Sequence, residues 1–254
     1  MLLVDSHSHI DVDAFDADRT EAIERARCAG VTRQVVPAVV SRDWDELRAV
    51  CASHDGLFPG YGLHPVYLDD HDPADLVALR GRLDDDSAVC VGECGLDFYV
   101  ESLDRERQHD FLRPQLALAR ERGLPVVLHA RHAVEAIIAA IRAHPGLTGV
   151  VHSYGGSEEQ ARQLFNLGFL IGIGGPVTYE RANRIRRVVR AMPLEFLLLE
   201  SDAPDQPNAS RRGERNEPAR IVEVCECIAE LRGISPTEVA VQTTANALRL
   251  FALG

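Results

Sequence analysis

The sequence predicts a (β/α)8 barrel built as one domain over residues 1–254, and three observations predict it. Short apolar, β-branched runs alternate with longer amphipathic stretches from end to end. The strand candidates are near-continuous apolar runs rather than alternating ones, as expected of parallel strands buried on both faces. A length of 254 residues suits eight such units joined by right-handed crossovers and closed into a barrel. The competing open sheet would want a glycine fingerprint after an early strand. Gly172-Ile173-Gly174-Gly175 comes late and reads as a strand end.

In order, the first strand is expected over Leu2–His9, followed by a helix over Thr20–Ala29 that stops at Gly30, a residue suited to a helix C-terminus. Gln34–Val40 and Leu57–Leu63 read as the second and third strands, with a helix over Asp43–Ala52 between them. A helix over Asp75–Leu83 leads to the fourth strand, Ala88–Gly95. The long amphipathic stretch Asp104–Arg122 ends at Gly123 before Pro125, where the fifth strand, Pro125–His129, begins. Helices over Ala133–Ala143 and Glu158–Leu167 flank the sixth strand, Gly149–His152. Phe169–Gly174, a helix over Arg181–Ala191 and Glu195–Glu200 complete the eight units. Pro218–Leu231 and Thr237–Phe251 add two helices at the end.

Composition narrows the function. No apolar run approaches the roughly 18 residues needed to span a bilayer, so a cytoplasmic protein with no membrane partner is expected. Six cysteines without a C-x-x-C spacing read as reduced, buried thiols. A net charge of −12 argues against a protein that coats duplex DNA, while leaving room for a local basic mouth. All 27 basic residues are arginine. A chain without lysine can form no Schiff base, no P-loop lysine contact and no carbamylated lysine bridging two metals.

A barrel places reactive groups at the C-terminal ends of its strands. The predicted strand ends carry His7 and His9, His64, Glu93 with Asp97, His129 with Arg131, His152, and Glu200 with Asp202. A single histidine at a strand end is ordinary; this many imidazoles and carboxylates at successive ends need a compensating cation. Side chains at i and i+2 of a strand share a face, so His7 and His9 can reach one ion. Imidazole and carboxylate ligands without cysteine suit Zn²⁺, Mn²⁺ or Mg²⁺. The six candidates His7, His9, Glu93, His129, His152 and Asp202 exceed one tetrahedral shell, which points to two ions about 3.5–4 Å apart. With no lysine to carbamylate, Glu93 is the natural bridge.

The ordered runs DSHSH, GLHP, GECGLD, HAR, HSYGG, ESDAP and RNEP resemble the TatD family of metal-dependent deoxyribonucleases, over essentially the whole chain. The stretch 172–205 is especially similar to the family's bacterial YjjV-like branch. The resemblance implies His7 and His9 on one metal, Glu93 shared, His129 and His152 on the other, and Asp202 at the attacking water. DSHSH stands where the family often has DTHCH, HSYGG for HCFSG or HGFSG, and ESDAP for ETDAP, none of which alters a proposed ligand. The loop 205–215 diverges more, which bears on substrate choice.

The expected activity is hydrolysis of a phosphodiester by a water that two divalent ions activate. Asp202 would orient that water and accept its proton. His64 would bind the phosphate or protonate the leaving group. Asp97 would fix a histidine from behind, and Glu200 would either orient a ligand or pair with an arginine inside the barrel. Arg131, Arg211, Arg212 and Arg215 could grip phosphates, though a solvated loop is the simpler reading of the last three. Asn216 would cap the helix begun by Glu217-Pro218, and the resemblance also places it near substrate. An acidic chain with a small cationic mouth suits a strand end more than long duplex, and the resemblance implies 3′-to-5′ exonuclease-like action on single-stranded DNA, with no obligate protein partner. Two other readings stand beside it: a binuclear hydrolase of carbon esters or amides such as an aminoacyl-tRNA, and a non-catalytic metal-binding scaffold, which would usually have lost a ligand.

Overall fold

A computed structural model of the chain describes residues 1–84 and 87–254. Eight parallel strands pair in sequence order: β1 (Leu3–Asp5), β2 (Val31–Pro37), β3 (Leu57–Tyr61), β4 (Cys90–Asp97), β5 (Val126–Arg131), β6 (Gly149–Val151), β7 (Phe169–Ile173) and β8 (Leu197–Leu199). The ring is completed by backbone bonds from Ser6 to the Leu199 carbonyl (2.9 Å) and from Asp202 to the His7 carbonyl (2.9 Å). The outer layer comprises α1 (Arg19–Cys28), α2 (Trp44–Ser53), α3 (Pro73–Arg82), α4 (Arg105–Arg122), α5 (Val134–Arg142), α6 (Glu158–Asn166), α7 (Asn183–Ala191), α8 (Ile221–Arg232) and α9 (Pro236–Phe251). The (β/α)8 barrel read from the sequence is therefore the fold. Its element boundaries mostly lie within three residues of expectation. The clearest differences are in β1, which stops at Asp5 rather than His9, in β2, set back to Val31–Pro37, and in the 3₁₀ turns Pro65–Asp70 and Pro218–Arg220.

Strand alternation divides the core into two shells. Leu3, Val36, Val91, Val126, Val151, Ile171 and Leu199 pack outward into the helix layer. Val4, Val35, Cys90, Val127, Val150, Leu170 and Leu198 face inward, nearly one from each strand, and form a dry plug inside the barrel. Phe251 of α9 and Leu253 close the plug from the N-terminal end of the strands. Two residues further along the inner face of β5, β6 and β8 come His129, His152 and Glu200. Strand parity thus converts a hydrophobic floor into a polar mouth within a single repeat.

His7 and His9 do not obey that parity, and here the structure corrects the expectation. β1 ends at Asp5, so the two histidines lie past the strand rather than on its inner face. Val4 is the inward residue of β1, and a continuing strand would turn His7 toward the helices. Instead the chain leaves the ladder and bonds to both sides, Ser8 to the Val35 carbonyl (3.1 Å) and His9 to the Ala203 carbonyl (2.8 Å). Glu93 also breaks the alternation set by Cys90, at a point where the β4–β5 register shifts between Val91 and Cys94.

Two buried glutamines of α4 brace the loops that carry the site. Gln108 accepts from the Asp97 amide (2.7 Å) and donates to the Asp97 carbonyl (2.8 Å). Gln115, two helical turns on, accepts from the Leu63 amide (2.8 Å) and donates to its carbonyl (3.2 Å). Each side chain acts as a missing ladder partner for strand backbone that has none. Truncating Gln108 to alanine should therefore orphan both backbone groups of Asp97 and lower stability by about 1–3 kcal/mol. A urea unfolding midpoint equal to that of the parent chain would contradict this.

Candidate metal centre and active-site cleft

At the C-terminal ends of the strands the side chains converge on the carboxylate of Glu93, which is 2 % exposed. Its Oε2 lies 3.2 Å from His7 Nε2 and 3.5 Å from His9 Nε2. Its Oε1 lies 2.8 Å from His152 Nε2, 3.2 Å from His129 Nδ1 and 2.9 Å from His64 Nε2. Asp202 Oδ1 completes the first group, 3.5 Å from His7 Nε2 and 3.7 Å from His9 Nε2. The two Nε2 atoms of His7 and His9 approach to 3.1 Å. Four ligands at about 2.0–2.1 Å in a tetrahedron stand about 3.3–3.4 Å apart, so this spacing fits a shared coordination point better than a set of pairwise hydrogen bonds. The two oxygens of Glu93 face different imidazoles, Oε2 towards His7 and His9 beside Asp202 and Oε1 towards His129, His152 and His64. The candidate ligand groups are His7–His9–Asp202, His7–Glu93–His152 and His64–Glu93–His129.

Neighbouring groups fix the orientation of His129 and Asp202 and the backbone that carries His7. Asp97 Oδ2 sits 3.0 Å from His129 Nε2, leaving Nδ1 to face Glu93, while Oδ1 accepts from the amides of Tyr99 and Val100. Asp5 ties the ends of β1 and β8 together: it accepts from the Ser201 amide (2.9 Å) and hydroxyl (2.6 Å) and from the His7 amide (3.2 Å). That clasp brings His7 and Asp202 side by side from opposite ends of the chain. Gln206 donates to Asp202 Oδ2 and to Ser153 Oγ (2.7 Å), which holds Oδ1 toward the histidines. Asp5, Ser201, Gln206 and Ser153 had no place in the sequence reading. A carboxylate before the two histidines and a hydroxyl beside Asp202 were the visible signals for the clasp.

His64 is placed differently from the other imidazoles. Its Nδ1 accepts from the Val66 amide (3.2 Å), so the neutral ring carries its proton on Nε2 and donates it to Glu93 Oε1. Glu200 is fully buried, accepts from the Ser153 amide, and stands 4.0 Å from His152 Nδ1. Among the described residues, no arginine lies within 4.0 Å of it. It occupies the space over Gly172, where a Cβ would collide with its carboxylate.

The charges bear out the need for a cation. Burial works to raise the Glu93 carboxyl, but His152, His64 and His7 outweigh it and hold the group well below the ordinary carboxylate range. Burial opposes protonation of His152, yet Glu93 and, further off, Asp202 and Glu200 pull that imidazole up to about 10. Glu200 is pushed up to about 8 and Asp5 to about 7, both chiefly by burial. A metal-free cage therefore binds protons where a divalent ion would otherwise sit.

The cage opens into a cleft of about 1310 Å³ lined by Tyr67, Arg131, His132, Arg184 and Gln206 among others. Arg131 lies on the cleft wall with its guanidinium 3.7 Å from the centre of the Tyr99 ring. The remaining expected substrate contacts are elsewhere. Asn216 is 1 % exposed, donates to the Ser201 carbonyl (2.8 Å) and accepts from the Glu217 amide (2.9 Å), so it braces the loop after β8 and does not face the cleft. Nor does it cap the following turn, whose N-cap is Glu217. Arg212 is exposed outside the cleft, and Arg211 pairs with Glu214 (3.5 Å). Arg215 is held by Asp18 (2.7 Å) and Glu217 (3.1 Å), which Arg25 also bridges.

A barrel with histidine and carboxylate ligands gathered on one glutamate is the architecture of metal-dependent hydrolases. The sequence model of the TatD related DNase family matches residues 4–252, and the chain belongs to that family. It is 37 % identical over 251 residues to the uncharacterized metal-dependent hydrolase YjjV of Escherichia coli, covering 98 % of this chain and 97 % of that one. The crystal structure of the Escherichia coli YjjV protein superposes with a TM-score of 0.95 at 35 % identity, covering 99 % and 98 % of the two chains. The 3′-5′ ssDNA/RNA exonuclease TatD of Cronobacter sakazakii is 34 % identical over 253 residues, with 96 % and 95 % covered. No helix among the described residues is long and apolar enough to cross a membrane.

Two outcomes follow from this geometry. Asp97→Asn should release the His129 ring and weaken metal binding about 10–100-fold, read by titration with a competing chelator. The Asp18–Arg215–Glu217–Arg25 network should stabilise the fold in a pH-dependent way. Arg215 and Arg25 hold Asp18 below its ordinary 3.8, and they outweigh burial to hold Glu217 below its ordinary 4.5. Their contribution is complete above those values and is lost as the pH falls through the lower folded values. Arg215→Gln should accordingly lower the melting temperature at neutral pH, with the difference shrinking in acid. A constant difference would refute the linkage.

Proposed function

We propose that the chain hydrolyses phosphodiester bonds at the ends of single-stranded nucleic acid, in the 3′-to-5′ direction, with two divalent ions held by these residues. The observation that carries the reading is the division of Glu93: one oxygen faces His7, His9 and Asp202, the other His129 and His152. Mg²⁺, Mn²⁺ or Zn²⁺ bound at the two points would supply an ionised water and neutralise charge on the phosphate. Asp202 would orient that water through Oδ1 and take the proton it loses on ionising, while Gln206 keeps the other oxygen occupied. His64 presents an Nε2–H at the mouth and hydrogen-bonds it to a phosphate oxygen in place of Glu93. Arg131, stacked on Tyr99, offers a preorganised cation on the cleft wall. Asp97 holds His129 from behind, and Glu200 places a buried carboxyl behind His152. The exonuclease named TatD, at 34 % identity, supports this substrate class.

The deciding experiment is a hydrolysis panel on metal-reconstituted protein, with labelled single-stranded DNA, RNA, a simple phosphodiester, and carboxylic ester and aminoacyl-tRNA substrates. Cleavage of the strands from the 3′ end is expected, with Asp202→Asn lowering kcat by about 10²–10⁴-fold. Carboxylic ester or aminoacyl hydrolysis lost in that variant, with no phosphodiester cleaved under any of the three ions, would replace the nuclease reading with a deacylase. Metal analysis of the parent chain should give two ions, and His129→Ala with His152→Ala should remove one.

A further inference from the structure

Beside the cleft lies a second depression of about 560 Å³, continuous with it through Ser153, Gly155 and Arg184. Its floor is apolar, with Ile173, Val177 and Ile185, and no carboxylate lines it. Arg181, Arg184 and Arg187 stand along it at a spacing of three residues. Two of them lie on successive turns of α7, so their side chains share a face about 4.5 Å apart along the axis. All three are exposed.

The charge there is not neutralised. In this acidic chain many arginines are matched to carboxylates: Arg19 to Asp16, Arg42 to Asp70, Arg80 to Glu121, Arg162 to Glu158. The stretch 181–190 holds five arginines and no acidic residue. Arg186 turns inward to the Val177 carbonyl (3.0 Å). Among the described residues, no carboxylate lies within 4.0 Å of Arg181, Arg184, Arg187 or Arg190. A chain of net charge −12 that concentrates unpaired cations beside its reactive mouth presents them to something anionic and extended.

We propose that this groove carries the backbone of a single-stranded nucleic acid whose terminal phosphodiester occupies the cleft, with Arg181, Arg184 and Arg187 on successive phosphates and the bases over the apolar floor. The proposal rests on the nuclease reading and extends it from the scissile bond to the body of the strand. It makes these arginines determinants of substrate length. A small ester needs none of them.

The test is binding, kept separate from cleavage. A fluorescent single strand of about twelve nucleotides with nuclease-resistant phosphorothioate links is titrated into metal-loaded protein, and anisotropy is followed between about 50 and 200 mM salt. Each single-strand phosphate contact contributes about 0.7 to the slope of log K against log salt. Arg187→Ser should reduce the slope by about 0.7 and the triple serine variant at 181, 184 and 187 by about 2. Arg190→Ser removes the same single charge outside the groove and should leave the slope unchanged. Equal slopes in Arg187→Ser and Arg190→Ser would overturn the proposal, as would absence of binding by the parent chain. Groove binding of this probe with no cleavage of the matching unmodified strand would leave the groove standing and sink the nuclease reading. A strand that is cut with no dependence on the three arginines would do the reverse.

Discussion

Everything at the mouth of the barrel answers to one buried charge. The Glu93 carboxylate has five imidazoles within 3.5 Å and is buried at the base of the cleft. An isolated carboxylate there would cost many kcal/mol, so its surroundings must supply positive charge, whether as protons on histidine or as bound metal. The Asp97 brace on His129, the Asp5–Ser201 clasp and the Gln206 bond to Asp202 all hold partners of that charge in place. A chain without lysine has no side chain it could carbamylate, so under the two-ion proposal any bridge falls to Glu93.

Most of the fold was legible in the sequence because parallel barrel strands advertise themselves as continuous apolar runs between amphipathic helices. His129, His152 and Glu200 were legible for the same reason: each lies two residues beyond an inward-facing apolar residue of its own strand. His7, His9 and Glu93 were recognisable as residue types in a pattern, but their placement was not derivable from alternation. They reach the axis only because β1 stops at Asp5 and the β4 register slips. Irregular backbone at a reactive site is the usual place where local rules fail.

The residues that sequence reasoning passed over are the ones that position others. Gln108 and Gln115 read as polar interruptions on the apolar face of a long helix, yet each substitutes for a strand partner. Asn216 was read as a contact to substrate and is a brace for the loop after β8. Arg215 serves the loop, the simpler of its two sequence readings, though paired with Asp18 and Glu217 rather than solvated. Side-chain chemistry alone does not distinguish a group that touches a ligand from one that touches the backbone behind it, because both need the same donors and acceptors.

The hydrophobic plug has a consequence of its own. Phe251 and Leu253 seal the barrel at the end remote from the metal cage, and the first residues of the chain lie nearby, where Thr244 of α9 bonds to the Leu2 carbonyl (3.0 Å). The hydrophobic seal and the reactive groups therefore occupy opposite poles of one molecule, separated by a layer of valine and leucine. Sequence drift can harden or soften the lower pole without disturbing the upper one, and thermal tolerance becomes a property that a lineage can adjust without renegotiating its chemistry.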